Sequence, residues 1–157
     1  MSSPAAYANI VFFYVAQSFV SAHAFIRGGG PERAAGGALL LAALSWSFVQ
    51  LIWAVKFNHV AWTLALIDLA LLIAILIIVA FADRFWPIWL ASLQIVAVAN
   101  HGVRAYDPAI IGYAYWLVAG KLSYPMLAIL FIGTRRHQQR LSSGHMEFSW
   151  TAQRRRS

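Results

Sequence analysis

Long apolar runs broken by short polar stretches set the pattern of this chain. Five runs stand out: Ala5 to Ile26, Gly37 to Val55, Val60 to Ala82, Phe85 to Ala105 and Ala109 to Ile132. Each is close to the roughly 20 residues that cross a hydrocarbon core at about 1.5 Å per residue. The pattern predicts an all-α integral membrane bundle with about five transmembrane helices, folded as one domain over residues 1–133. The third run is the cleanest of them. The first contains Ala22-His23-Ala24, which has the small-x-small shape of a signal-peptide cleavage site. No Lys or Arg precedes that run, so a retained first helix is expected.

The breaks are turn-like and short. Arg27-Gly28-Gly29-Gly30-Pro31-Glu32-Arg33 reads as a turn because glycine and proline interrupt helices. Lys56-Phe57-Asn58-His59 and Asp83-Arg84 make the next two connections, and Pro87 falls in the first turn of the fourth helix, where its missing N–H costs nothing. Tyr106-Asp107-Pro108 precedes the fifth helix, with Asp107 as candidate N-cap. Connections this short make successive helices antiparallel neighbours.

Composition sharpens the assignment. Of 157 residues, 61% are hydrophobic and 11% charged, against about half and about a quarter in soluble domains. So short a chain cannot bury that much apolar side chain in a water-soluble core. There are no cysteines, so disulfide and thiolate chemistry are excluded.

The formal charge of +7 is concentrated at the C-terminus. Residues 134–157 carry six arginines against Glu147, and the preceding part carries six basic residues against four acids. Residues 134–157 therefore read as a basic, disordered cytoplasmic tail. Its Arg135, Arg136 and Arg140 are placed to meet anionic lipids. Nucleic acid is not an expected partner, because the basic clusters are small and the tail has no fold of its own.

Lys and Arg also set the orientation. Arg27, Arg33, Arg84, Arg135, Arg136, Arg140 and Arg154 to Arg156 fall on one side of a five-helix chain, and Lys56 and Arg104 on the other. By the positive-inside rule the N-terminus lies outside and the C-terminus in the cytoplasm. Trp53, Phe57 and Trp62 then gather at the outer surface, and Phe81, Phe85, Trp86 and Trp89 at the inner one.

Polar groups inside the apolar runs are the candidate functional residues, since a charge there normally faces the bundle interior. Asp68 lies roughly 12 Å from the outer end of its helix and Lys121 roughly 18 Å from that of the fifth. A pair between them is geometrically accessible, fixing helix register; alternatively Lys121 turns outward to meet a partner protein or an acidic lipid, or the pair serves a proton or ion path. Pro125, four residues after Lys121, is expected to kink the fifth helix. Gln17 and Ser21 share a helix face, as do Gln94 and His101. Together with Gln50 and Asn100 they read first as interhelical glue, and second as the lining of a ligand cavity.

His59 and His101 are the candidate cofactor-binding pair, for haem or quinone. Their depths differ by roughly 6 Å, although the deep histidines with facing glycines of haem-binding bundles are absent. No bound cofactor remains the leading expectation. No metal site is expected, because no H-x-x-x-H or H-E-x-x-H spacing occurs.

No motif names a reaction. Gly28-Gly29-Gly30 lacks the Lys-Ser/Thr of a P-loop, there is no G-x-S-x-G, and Ser123 near Lys121 is a weak Ser–Lys pair. The short loops and the phrase Ala82-Asp83-Arg84-Phe85-Trp86-Pro87-Ile88-Trp89 resemble the small helical membrane proteins of bacterial genomes. The expected location is accordingly the bacterial inner membrane, as a multi-pass protein. The leading expectation is a non-enzymatic accessory or structural subunit of a larger inner-membrane complex, such as an energy-converting one. It would associate with other membrane subunits or with itself. The alternatives are a small haem- or quinone-binding redox or sensory protein, and a transporter using Asp68 and Lys121.

Overall fold

The computed structural model describes residues 4–53, 62–106, 121–143 and Trp150. Five helices run through them: α1 (Pro4–Arg27), α2 (Gly30–Trp53), α3 (Trp62–Phe81), α4 (Trp86–Tyr106) and α5 (Ser123–Ser142). Helix covers 92% of the described residues and no strand is present among them, so the protein is all-α.

The helices alternate in direction. Tyr14 meets Ser47, and Ser21 meets the Gly36 carbonyl, so α1 and α2 are antiparallel. Tyr124 of α5 lies against Phe12 and Phe13, and Phe131 against Phe19 and His23, so α5 runs parallel to α1. It closes a ring by packing between α1 and α4, and it also touches α2. The core is one apolar cluster in which every helix takes part. It includes Val20 and Ala24 of α1, Ala35 and Leu39 of α2, Leu71, Ile75 and Ile78 of α3, Leu90 of α4, and Met126, Leu127 and Leu130 of α5. Gly36 lets α1 and α2 approach closely, since a Cβ there would stand 3.1 Å from that of Ala24.

Among the described residues three helices are long and apolar enough to cross a membrane: Ala8–Arg27, Gly30–Leu51 and Trp62–Phe81. They match the first three apolar runs. The fourth run falls short in mean hydropathy because it contains Gln94, Asn100 and His101. Half of the fifth run, residues 109–120, lies outside the described residues.

Two boundaries differ from the sequence-based expectation. The second helix begins at Gly30 rather than Gly37. Gly28 and Gly29 alone make the turn, and Pro31 sits in the first turn, where its lack of an N–H leaves no bond unmade. In the last helix Lys121 is helical, Leu122 is a turn and α5 resumes at Ser123, so the helical run is interrupted just before Pro125, where a kink was expected. Pro125 cannot donate to the Lys121 carbonyl, so it is accommodated in a first turn.

That same helix does not stop at Ile132. It continues to Ser142, so the first part of the expected disordered tail is ordered helix. Packing explains this. Gly133, Thr134 and His137 are buried, and a Cβ on Gly133 would stand 3.0 Å from the Trp86 ring. Trp150 then forms an antiparallel bridge with Ala82.

Candidate functional site

The described polar side chains collect in three places. The first is within the α3–α4 interface. Asp68 Oδ2 lies 2.8 Å from His101 Nε2. The Gln94 amide donates to the Asp68 main-chain carbonyl at 3.0 Å and reaches Oδ1 at 3.4 Å. Gln94 and His101 are seven residues apart, two helical turns, so both project from α4 toward α3. Gln94 is 2% exposed and His101 5%, and the Asp68 side chain keeps a partly exposed edge. Asp68 lies six residues into α3, roughly 9 Å along its axis. The arrangement holds a carboxylate and an imidazole in direct contact, with an amide fixing the carboxylate.

The second is a hydroxyl seam between α1 and α2. Tyr14 and Ser47 hydroxyls are hydrogen-bonded, and Ser47 also donates to the Ala43 carbonyl. Buried Gln17 donates to Ser21 at 2.9 Å, and Ser21 to the Gly36 carbonyl at 3.2 Å.

The third caps the end of the bundle where α1, α3 and α5 finish and α2 and α4 begin. Glu32, in the first turn of α2, is fully buried. The Trp86 indole donates to its Oε1 at 3.2 Å, and Arg84 Nε lies 3.9 Å from the same oxygen. A carboxylate at a helix N-terminus is also favoured by the helix dipole. Arg84 Nη2 donates to His137 Nδ1 at 3.0 Å. A guanidinium has only donors, so His137 offers a lone pair there and carries its ring proton on Nε2. Trp150 covers this end, its indole seated on Gly30.

The sequence-based candidates separate accordingly. Asp68, Gln94 and His101 come together. Asn100 is half-buried beside His101 on α4. Lys121 does not join them: it is exposed, with Nζ 5.5 Å from the Tyr124 ring centre. His101 is thus the partner of Asp68, in place of the Lys121 considered from sequence. Gln17 is buried in the hydroxyl seam, and Gln50 is exposed on α2 rather than between helices. His59 lies outside the described residues. To ligate a haem iron through Nε2, His101 would have to give up Asp68.

Glu32, Arg84, Trp86, His137 and Trp150 were not legible as a group. The available signal was an acid and a base in two connections on the same side of an alternating bundle, and a lone tryptophan in a basic tail. No family model matches the chain, and no curated protein or solved structure matches it either.

Proposed function

We propose that this chain is a multi-pass protein of the bacterial inner membrane, crossing it five times with its N-terminus outside and its C-terminus in the cytoplasm. In this reading it acts as an accessory or structural subunit of a larger membrane complex. The observation that carries the reading is the division of the surface. Outward faces are apolar on α1 to α4, through Phe12, Val15 and Phe19, Leu44 and Phe48, Leu66 and Ile73, and Ile95 and Val96. Contiguous exposed apolar area on this scale marks a lipid or protein contact.

The same division supports α4 as a span. Its low hydropathy comes from Gln94 and His101, which are buried against Asp68, while Ile88, Trp89, Ile95, Val96 and Val103 face outward. Polar side chains turned inward cost a spanning helix little when they are paired. Exposed Trp62 at one end, and Phe81, Phe85 and Trp89 at the other, suit the headgroup level.

The basic residues also segregate. Arg27, Arg33, Arg84, Arg135, Arg136 and Arg140 lie at the capped end, which supports placing that end in the cytoplasm. Exposed Arg135, Arg136 and Arg140 there are the contacts for anionic lipids, with Arg135 over the Phe131 ring.

The test is purification of the tagged chain from its native membrane in mild detergent, with subunit identification and an absorbance spectrum on one peak. Co-elution with a stoichiometric larger membrane protein is the expected result. Elution as a lone colourless chain overturns the accessory reading. A visible haem spectrum replaces it with the redox one.

A further inference from the structure

An ionisable side chain within an apolar helix is costly to keep, and a pair of them in contact is a device with a definite charge count. Asp68 and His101 with one proton between them are neutral as a unit, whether as carboxylate and imidazolium or as carboxylic acid and imidazole. Adding a second proton leaves the pair with charge +1, and removing the last leaves it with charge −1. A proton gained or lost at either group therefore changes the charge of the pair as a whole.

We propose that Asp68 and His101 form an intramembrane proton-binding site, with Gln94 as its positioning residue. The proposal stands independently of whether the chain has partner subunits. Three observations carry it. The 2.8 Å contact is short enough for a proton to pass directly between the two groups. The Gln94 amide grips both the carboxylate and the main-chain carbonyl of Asp68, so the acceptor is held still relative to α4.

The third is the surroundings. Asp68 keeps a partly exposed edge roughly 9 Å from the start of α3. Beyond it toward the other end the α3 and α4 side chains in the core are apolar, with Leu71, Ile75 and Leu90 buried.

Few other titratable groups lie on the described parts of the packed helices. Asp68 is the only titratable residue of α3, and α2 has none beyond Glu32 and Arg33 at the opposite end. On α4 the others are Arg104 and Tyr106, one turn further on. Tyr14 of α1 is bonded to Ser47, and Lys121 and Tyr124 at the start of α5 face each other. None of these described contacts replaces the Asp68–His101 bond.

The test is a titration of the full chain in lipid nanodiscs, following the Asp68 carboxyl carbon and the His101 ring nitrogens by isotope-edited NMR from about pH 5 to about pH 9. His101→Gln and Asp68→Asn assign the two signals. The expected result is that both groups report the same midpoint. Asp68→Asn should abolish the shared response at His101, and Lys121→Gln should leave it in place. Gln94→Leu, which keeps both titrating groups, should broaden or split the shared midpoint.

Separate midpoints in the wild-type chain overturn the proposal, as does a His101 signal constant over the whole range. These two readings need no variant to fold beyond those used for assignment. Should Asp68→Asn not fold, Asp68→Glu assigns the carboxyl signal instead.

Discussion

The Trp86 indole N–H donates to Glu32 Oε1 across 3.2 Å, tying the first turn of α4 to the first turn of α2. Fifty-four residues separate the two in the chain. The contact forms because both helices begin at the same end of the bundle. It leaves a fully buried carboxylate whose other neighbour is Arg84. Among the described residues its second oxygen, Oε2, has no hydrogen-bond partner.

Removing the positive partner should therefore be worse than removing both charges. Arg84→Ala is expected to destabilise the bundle by about 3 kcal/mol, because Glu32 is left buried and uncompensated. Arg84→Met combined with Glu32→Gln should recover most of that loss. Thermal unfolding in a single detergent, followed by circular dichroism, checks the order. A double variant as unstable as Arg84→Ala would show that the loss lies elsewhere than in the stranded charge.

Gly30 is the seat of the Trp150 indole, and a Cβ there would stand 2.4 Å from its Nε1. Gly30→Ala should displace the ring. The chain beyond Ser142 should then be cut faster by protease, and Trp150→Ala should have the same effect. Quantified cleavage of the tagged tail in detergent measures it. Equal cleavage rates in all three proteins would refute a docked Trp150.

The Tyr14–Ser47 hydroxyl pair links α1 to α2 at one end of the seam. A double-mutant cycle of Tyr14→Phe and Ser47→Ala should return a coupling of about 0.6 kcal/mol, in the range of hydrogen bonds between membrane helices. A coupling indistinguishable from zero would assign the seam to packing alone.

Arg135, Arg136 and Arg140 project from a rigid helix rather than a loose tail. Replacing all three with Gln should lower retention of anionic lipid by about 1 kcal/mol for each residue. The difference should shrink as salt is raised, since exposed charges are screened over about 8 Å at physiological ionic strength. Lipid retained through purification, measured by mass spectrometry, decides this.

Helix, apolarity and the segregation of basic residues were all legible in the linear chain. Runs such as Val60 to Ala82 have no other solution than a long apolar helix, because length and composition are properties of a segment by itself. The alternation of short connections likewise put Arg27, Arg33 and Arg84 at one end without reference to any contact. Pro87 in a first turn was equally local, since the missing N–H is that residue's own.

Partner choice was not local. From sequence, Asp68 had Lys121 as its nearest charge complement, and only the packing of α4 on α3 put His101 there instead. The reach of α5 past Ile132 depended on Gly133 accepting the Trp86 ring and on His137 accepting a bond from Arg84. The early start of α2 depended on a distant indole and guanidinium for Glu32. Sequence determined which segments are helices and which end of each is polar, because those follow from the side chains of one segment. Tertiary structure decided which buried polar groups meet, because a buried donor or acceptor is satisfied by whatever lies within about 3 Å in space, however far apart the two are along the chain.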